Sequence, residues 1–444
     1  MARLLLISYD NESHLPFFPI NLFYLTGHLH KQGHQVGIWF QDLHHGNEDA
    51  LTKIIADNHF DVVGLGFVAG YYQYRKAKKI ADVVNSSTKR GEFQFVLGGH
   101  GPAAEPEFFM KKLQANSVIV GDGEDGFDQL FKGKSGVIKA APCTEDSAPL
   151  ENYADFPIET YRLIRWPTSE RTDFCMPILS SRGCKFHCSF CYRMREGYHL
   201  RSVPAIMEEI KWLHQFYMIN HFQFADELLM ADVKRTEEIC QAILKLPFKI
   251  KWDCNGRLNY AKPGILSLMK KSGCEYINYG IESLNQNQLN QMHKGLTIEQ
   301  ILKGTENTLA EDLSPGLNLI WGFPGDSAED LWKAVDFLVK YDPCHELRTI
   351  RPVCPYPGTE LYKLAIEKGL LEGPEDFYEN KHKNSDLFTV NFMDMPTDEA
   401  HEHLYGANLT LYENYQKKKH ASFVKQIGNV YMDGDTSFRG FRPI

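Results

Sequence analysis

Residues 221–254 read HFQFADELLMADVKRTEEICQAILKLPFKIKWDC. Residues 221–225 predict a strand that gives way to Asp226 and Glu227. Residues 233–244 predict a helix, and residues 249–254 predict a second strand. A strand, a helix and a strand in so short a stretch form a βαβ unit with its two strands parallel.

The alternation continues in both directions. Upstream lie a strand at 178–180 and a helix at 203–217. Downstream come a helix at 263–271, a strand at 276–281, a helix at 297–309, a strand at 316–321, a helix at 328–339 and a strand at 348–353. Residues 177–371 thus hold six strand–helix repeats. Six units do not close as eight do, so the expectation is a partial (β/α)6 TIM barrel with its chemistry at the C-terminal strand ends.

Residues 1–135 alternate strands at 3–8, 36–40, 62–67, 93–97 and 118–120 with helices at 21–32, 49–58 and 74–84. This predicts an α/β domain with a doubly wound, Rossmann-like parallel sheet. Its glycines gather where such sheets bind ligands, among them Gly98, Gly99, Gly121 and Gly123. Residues 136–176, broken by Pro142, Pro149, Pro157 and Pro167, read as a linker. Residues 372–444 read as a C-terminal helical and irregular region that caps the site. A helix is expected there at 397–419, with a solvated KKKH run at 417–420.

The 444 residues are 43% hydrophobic and 24% charged, an ordinary globular balance. Forty-eight basic against 57 acidic side chains give a net charge of −9, which offers nucleic acid no broad basic face. No stretch of 18 apolar residues occurs, so no membrane span is expected. The opening MARLLLISYD has too short an apolar run for a secretory leader. The resulting expectation is a cytoplasmic protein.

Ten cysteines are present, none before Cys143. Their uneven spacing points to reduced thiols with one metal site rather than a disulfide scaffold. The densest group lies in residues 181–192, SRGCKFHCSFCY. Three thiols in eight residues can close on one soft metal centre. Three protein ligands leave a coordination position for a substrate, as catalytic sites do. A zinc loop borrowing His187 is the alternative. Asp226 and Glu227 could accept hydrogen bonds from an ammonium group, and Arg257 could clamp a carboxylate. Glu282 closes the fourth barrel strand.

The C-x-x-x-C-x-x-C spacing, with Phe190 before the last cysteine, resembles the radical S-adenosylmethionine (SAM) superfamily. The resemblance implies a [4Fe–4S] cluster on Cys184, Cys188 and Cys191, with SAM bound through its amino and carboxylate groups at the open iron. It also implies that Asp226 and Glu227 meet the SAM amino group, Arg257 its carboxylate and Glu282 its ribose. Residues 292–295 (MHKG), 321–326 (WGFPGD) and 355–362 (PYPGTELY) resemble members that carry an N-terminal cobalamin-binding domain. So do residues 97–102 (LGGHGP) and 120–124 (VGDGE), which assigns Gly98, Gly99, His100, Gly121, Gly123 and Glu124 to cobalamin.

Asp42 and His44 approach the D-x-H-x-x-G cobalt-ligand pattern, but the glycine comes one position early. Cobalamin is therefore expected without a protein imidazole on cobalt. A methylthiotransferase would need further cysteines in the N-terminal domain, and residues 1–142 have none. The resemblance implies a radical SAM enzyme that uses cobalamin to methylate an unactivated carbon of a small-molecule, natural-product-type or peptide substrate. The alternatives are an oxidative cyclase or ring-rearranging enzyme and, remotely, a metal-stabilised binding protein. Cys354 and Tyr356, after the sixth strand, are the candidate catalytic residues, with Tyr192 a candidate pocket residue. An electron donor such as flavodoxin or ferredoxin is the implied protein partner.

Overall fold

The computed structural model describes residues 1–10, 12, 17–166, 168–170, 172–193 and 197–435. Pro167 of the expected linker and residues 436–444 of the C-terminal region lie outside the described residues.

The first sheet contains β1 (Arg3–Ser8), β2 (Gln35–Phe40), β3 (Val62–Gly66), β4 (Gln94–Gly98), β5 (Ser117–Val120) and β6 (Gly136–Lys139). Its order is β2-β1-β3-β4-β5-β6, and every neighbouring pair is parallel. Leu4, Leu5, Leu6 and Ile7 are all buried. Helices cover both faces of such a sheet, so an interior strand such as β1 is a continuous apolar run without alternation. Two differences from the sequence reading stand out. The sheet runs one strand past residue 135, because the short GVIK segment pairs with β5. The glycine-rich stretches after β4 and β5 lead into helices at His100–Ala104, Pro106–Lys112 and Gly123–Phe131.

The second sheet begins at β7 (Cys175–Ile178). A two-stranded hairpin, β8 (Ser181–Gly183) with β9 (Tyr198–Leu200), follows. The sheet resumes with β10 (His221–Phe224), β11 (Lys251–Gly256), β12 (Cys274–Glu282), β13 (Ser314–Trp321) and β14 (Arg351–Pro352). The order is β14-β13-β12-β11-β10-β7, so β7 and β14 remain edges and the barrel stays open. Its helices start where the chain supplies caps. Ser202 and Asp232 accept N–H groups of Ala205 and Arg235. Thr297 with Gln300 and Ser327 with Asp330 form reciprocal capping boxes. The first strand starts earlier than residue 178, and the sixth is only two residues long.

The described parts of the linker and the tail pack into the cores. Tyr153, Phe156, Ile158 and Tyr161 enter the barrel's own core with Phe18 and Phe23. Phe23 stacks on Tyr153 with ring centres 4.0 Å apart. Beside them the fully buried Glu209 accepts from Arg201 Nη1 at 2.7 Å and from the Tyr153 hydroxyl at 2.7 Å. Hydrogen bonds from charged and hydroxyl donors are what make a buried carboxylate tolerable. On the opposite flank, Phe377, Tyr378, Val390 and Phe392 of the tail pack with Phe67, Tyr74 and Phe109 of the N-terminal domain. The tail helix runs Thr397–Tyr431, well beyond the expected residue 419. Among the described residues no helix is long and apolar enough to cross a membrane.

Candidate functional site

The cysteine loop leaves the barrel between β8 and β9, past Gly183 at φ +86°. Two backbone bonds pin it. Ser189 N–H donates to Met292 O at 3.0 Å, and Leu361 N–H donates to Ser189 O at 3.0 Å. Sequence segments more than a hundred residues away therefore fix the loop. Cys184 and Cys188 are half-buried, and Cys191 lies at the exposed rim. Burial holds the Cys184 thiol above its usual range, and the nearby Glu227 and Cys188 add to the effect. All ten cysteines are free thiols. Among the described residues no three histidine, cysteine or acidic side chains already form a metal cage. The donor set itself, three thiols on one loop, is that of a soft metal centre.

The strand ends around the loop are not equivalent. Asp226 is buried and engaged within the protein. It accepts Ser180 N–H at 2.7 Å and the Ser181 hydroxyl at 2.6 Å, and the Ser180 hydroxyl also bonds to it. Its carboxylate thus braces β10 against the segment that leads into the cysteines. The neighbouring Glu227 is exposed, and it is the acid whose charge reaches Cys184 and Cys191.

Arg257 is 4% exposed, and its guanidinium carbon lies 3.9 Å from the centre of the Phe186 ring. Burial lowers its pKa, and Cys188 offsets part of that. Its Nε and Nη2 have no hydrogen-bond partner among the described residues. A buried guanidinium with unpaired N–H groups fits an anionic oxygen, which tests favourably the carboxylate of an amino-acid cofactor. Glu282 sits at φ +71°, next to a register shift in β12. Its Oε1 accepts from Lys294 Nζ at 2.9 Å, and Lys294 lies 5.9 Å from the Phe190 ring centre. Lys294 was visible in the sequence only as a member of the 292–295 segment.

In the N-terminal domain Gly99 adopts φ +88°, and a Cβ there would stand 2.6 Å from Phe67 O. Gly99 thus closes on the backbone that leaves β3, whereas a Cβ on Gly98 would meet nothing within 4 Å, which leaves the end of β4 bare at Gly98, room suited to a flat ligand. His100 opens the next helix, and burial lowers its pKa. Its ring meets Tyr192 of the cysteine loop edge-on, with centres 5.8 Å apart. Gly358 lies against the other side of this junction. A Cβ there would come within 2.5 Å of the Tyr192 ring and 3.2 Å of Ala104 Cβ. The end of β4, the cysteine loop and the loop after β14 therefore meet at Tyr192.

The 121–124 segment has other work. A Cβ on Gly121 would lie 2.6 Å from Ala140 O, so this glycine admits the chain leaving β6. Gly123 faces Leu25, and buried Glu124 accepts from Arg182 Nη2 at 2.8 Å. Local glycine patterns look the same whether they face a ligand or a neighbouring strand. Asp42 likewise accepts the Tyr161 hydroxyl at 2.8 Å, a contact inside the core.

Cys354 Sγ lies 3.5 Å from His382 Nδ1 and 3.4 Å from Thr389 Oγ1. Burial pushes its thiol up to about 12. The Tyr356 hydroxyl lies 3.4 Å from Ser385 Oγ. His382 and Thr389 went unseen in the sequence. They reach Cys354 from the tail, and no local spacing announces that contact.

Residues 9–131 match the B12 binding domain family and residues 178–338 the radical SAM superfamily. Over 342 residues the chain is 28% identical to an uncharacterized methyltransferase of Pyrococcus horikoshii, covering 72% of each protein. It is 25% identical to bacteriochlorophyllide d C-12(1)-methyltransferase of Chlorobaculum tepidum, over 68% of this chain and 66% of that one. The fold is similar to that of the radical SAM methyltransferase TsrM from Kitasatospora setae. The TM-score is 0.69 at 16% identity, over 93% of this chain and 89% of that one. A radical SAM domain brings SAM and a [4Fe–4S] cluster, and a B12 binding domain brings cobalamin. With both domains on one polypeptide, the chain belongs to the cobalamin-dependent radical SAM enzymes.

Proposed function

We propose that this enzyme methylates an unactivated carbon of a small-molecule, natural-product-type substrate. The observation that carries the reading is the junction at Tyr192. There the bare β4 end of the B12 binding domain and the cysteine loop of the barrel share one aromatic side chain. Methyl transfer between two cofactors requires both to face one substrate, and this junction is where the two domains' ligand-binding ends come together. Bound there, the cluster and SAM supply a carbon-centred radical oxidant, and cobalamin supplies the methyl group.

The chain's own residues position these groups. Cys184, Cys188 and Cys191 would hold the cluster and leave one iron for SAM. Arg257 would take the SAM carboxylate on its free N–H groups. Glu227, rather than Asp226, would take the amino group, and Glu282, steadied by Lys294, the ribose hydroxyls. Gly98, Gly99 and His100 would form the floor under the corrin ring. Cys354 and Tyr356 would line the substrate side, under the tail. We place the division near residues 1–139 for the cobalamin domain, 177–371 for the barrel and the remainder of the tail as a cap. A reduced flavodoxin or ferredoxin would supply electrons.

The test is anaerobic reconstitution with iron, sulfide, cobalamin and isotopically labelled SAM under reducing conditions. The reading expects both 5′-deoxyadenosine and S-adenosylhomocysteine, and neither product from a Cys188→Ala variant that keeps its circular dichroism spectrum. Production of 5′-deoxyadenosine alone would replace methyl transfer with cyclisation or rearrangement. Neither product from the intact enzyme would remove the radical reading.

A further inference from the structure

The two faces of the barrel sheet differ in chemistry. Side chains alternate across a strand, and the outer set is apolar. Phe222, Phe224, Trp252, Ile277, Leu317 and Leu319 are buried in one core with the barrel helices. The inner set between them is polar. It holds Gln223 of β10, Asn255 of β11, Asn278 of β12 and Asn318 of β13. Gln223 and Asn318 are exposed, and Asn255 and Asn278 are half-buried. A face that served packing alone would be apolar, since buried amides cost free energy unless they are met.

The three asparagines are joined in one direction. Asn318 Nδ2 donates to Asn278 Oδ1 at 2.6 Å, Asn278 Nδ2 to Asn255 Oδ1 at 3.0 Å, and Asn255 Nδ2 to the Asp226 carbonyl at 2.8 Å. Asn318 Nδ2 also donates to the Tyr279 carbonyl at 3.2 Å. A backbone carbonyl only accepts, so the two ends fix which atom of every amide is nitrogen. Gly316 makes room for the row, because a Cβ there would run into the Tyr276 hydroxyl and Asn278 Oδ1. What the row leaves over is Asn318 Oδ1 and one N–H each on Asn255 and Asn278, with the exposed Gln223 amide beside them. The row carries no charge, and carboxylates around it are paired. His221 Nε2 lies 2.9 Å from Asp253 Oδ2, both groups buried, and Arg348 Nη2 lies 3.0 Å from Glu346 Oε1. The residues proposed for SAM stand nearer the barrel mouth. Arg257 comes two residues after Asn255 and Glu282 four after Asn278, about 7 Å and about 13 Å along their strands.

We infer that this inner face seats the end of the substrate remote from the methylated carbon, and that the group it takes is uncharged and amide-like, an N–H beside a C=O as in a carboxamide or a lactam. Such a group gives its N–H to Asn318 Oδ1 and takes an N–H from the row. A carboxylate finds no cation among these amides and an ammonium no anion. An apolar group leaves them unmet. The inference deepens the function proposed above and rests on it for the place of the reacting carbon.

Ligand-observed NMR of the reconstituted enzyme, with cluster, cobalamin and SAM bound and no reductant present, tests it. The probes are 2-pyrrolidinone, which has both groups, cyclopentanone, which has only the acceptor, and pyrrolidine, which is a cation at neutral pH. The lactam should bind about fivefold more tightly than either of the others, the worth of one hydrogen bond. Asn318→Asp, or Gln223→Glu outside the row, should make the pyrrolidine cation the preferred probe, a gain that a misfolded variant could not show. Absence of lactam binding, or equal affinity for lactam and ketone, would overturn the inference. So would a lactam that SAM displaces, since the face would then belong to the cofactor, or an unchanged preference in both variants. The measurement involves no turnover, so methyl transfer can fail with the lactam preference intact, and the preference can fail with methyl transfer intact.

Discussion

Arg182 donates through Nη2 to Glu124 Oε1 at 2.8 Å, and this bond ties the root of the cysteine loop to the N-terminal domain. Arg182 stands two residues before Cys184, and Glu124 lies in the first turn of the Gly123–Phe131 helix. Asp122 adds a second carboxylate 3.7 Å from the guanidinium, and the Tyr24 ring lies below it. Orientation between the two ligand-binding ends thus depends on a charge pair that the sequence displays only as halves of two separate motifs.

Removing the cation leaves Glu124 buried and unpaired. Breaking a fully buried pair costs about 3–5 kcal/mol, and the partial exposure of Arg182 brings the expectation for Arg182→Met down to about 2 kcal/mol. Glu124→Gln with Arg182→Met should cost less than the two single changes added together. Urea unfolding of the four proteins in a double-mutant cycle measures the coupling. Strict additivity would mean that the pair does not join the domains.

Arg257 yields a prediction on binding. Arg257→Met keeps an unbranched side chain beside Phe186 and removes the guanidinium, both its contact with the ring and the buried N–H groups that lack a partner. Loss of a charge-assisted bond is worth about 1.5–3 kcal/mol, a roughly 10- to 100-fold weaker affinity for SAM. Equilibrium binding of SAM to the reconstituted enzyme reads this directly. Unchanged affinity would move the carboxylate site elsewhere.

The order and kind of the elements were legible because most parallel strands are short apolar runs and most barrel helices begin at a capping side chain or a proline. Helix Pro263–Lys271 coincides with its expected limits. The hairpin β8–β9 was not legible, since SRG and YHL carry no strand pattern of their own and pair only across the loop. The cysteines and Arg257 were conspicuous by residue type and spacing, and their roles are those proposed above. Asp226 and Gly121 could not be told from ligand-facing residues. What distinguishes them is contact with Ser180 and Ala140, and those partners are fixed by the fold. Lys294, His382 and Thr389 were hidden for the same reason.

Asp326 gives the loop after β13 a pH dependence. Its Oδ2 accepts the N–H groups of Gly322 and Phe323 at 2.9 and 2.8 Å, while burial pushes its carboxyl up to about 7. The unfolded chain releases this proton near the ordinary carboxylate value. The folded chain therefore holds an extra proton between about pH 4 and pH 7. Stability contributed by this group is whole below that window, declines through it and is level above. Asp326→Asn should flatten the decline, which is on the order of 4 kcal/mol at about 1.4 kcal/mol for each pKa unit. Urea unfolding at intervals from pH 4.5 to 8 compares the slopes. Equal slopes in the two proteins would mean that Asp326 ionises normally.

The two strained glycines separate docking of the chain from docking of a cofactor. Alanine at Gly99 or at Gly121 must adopt a left-handed backbone and push a Cβ to 2.6 Å from a carbonyl oxygen, Phe67 O in one case and Ala140 O in the other. The conformational term alone is about 1–2 kcal/mol, so both variants should melt several degrees below the parent. They should differ once cobalamin is added. A ligand that binds only the folded state raises the melting temperature in proportion to its affinity. Gly121→Ala disturbs the exit from β6 and should retain most of that rise. Gly99→Ala distorts the bare strand end that faces Tyr192 and should lose it. Equal ligand-induced shifts in the two variants would detach Gly99 from the corrin site and leave it, like Gly121, a glycine that serves only the passage of its own chain.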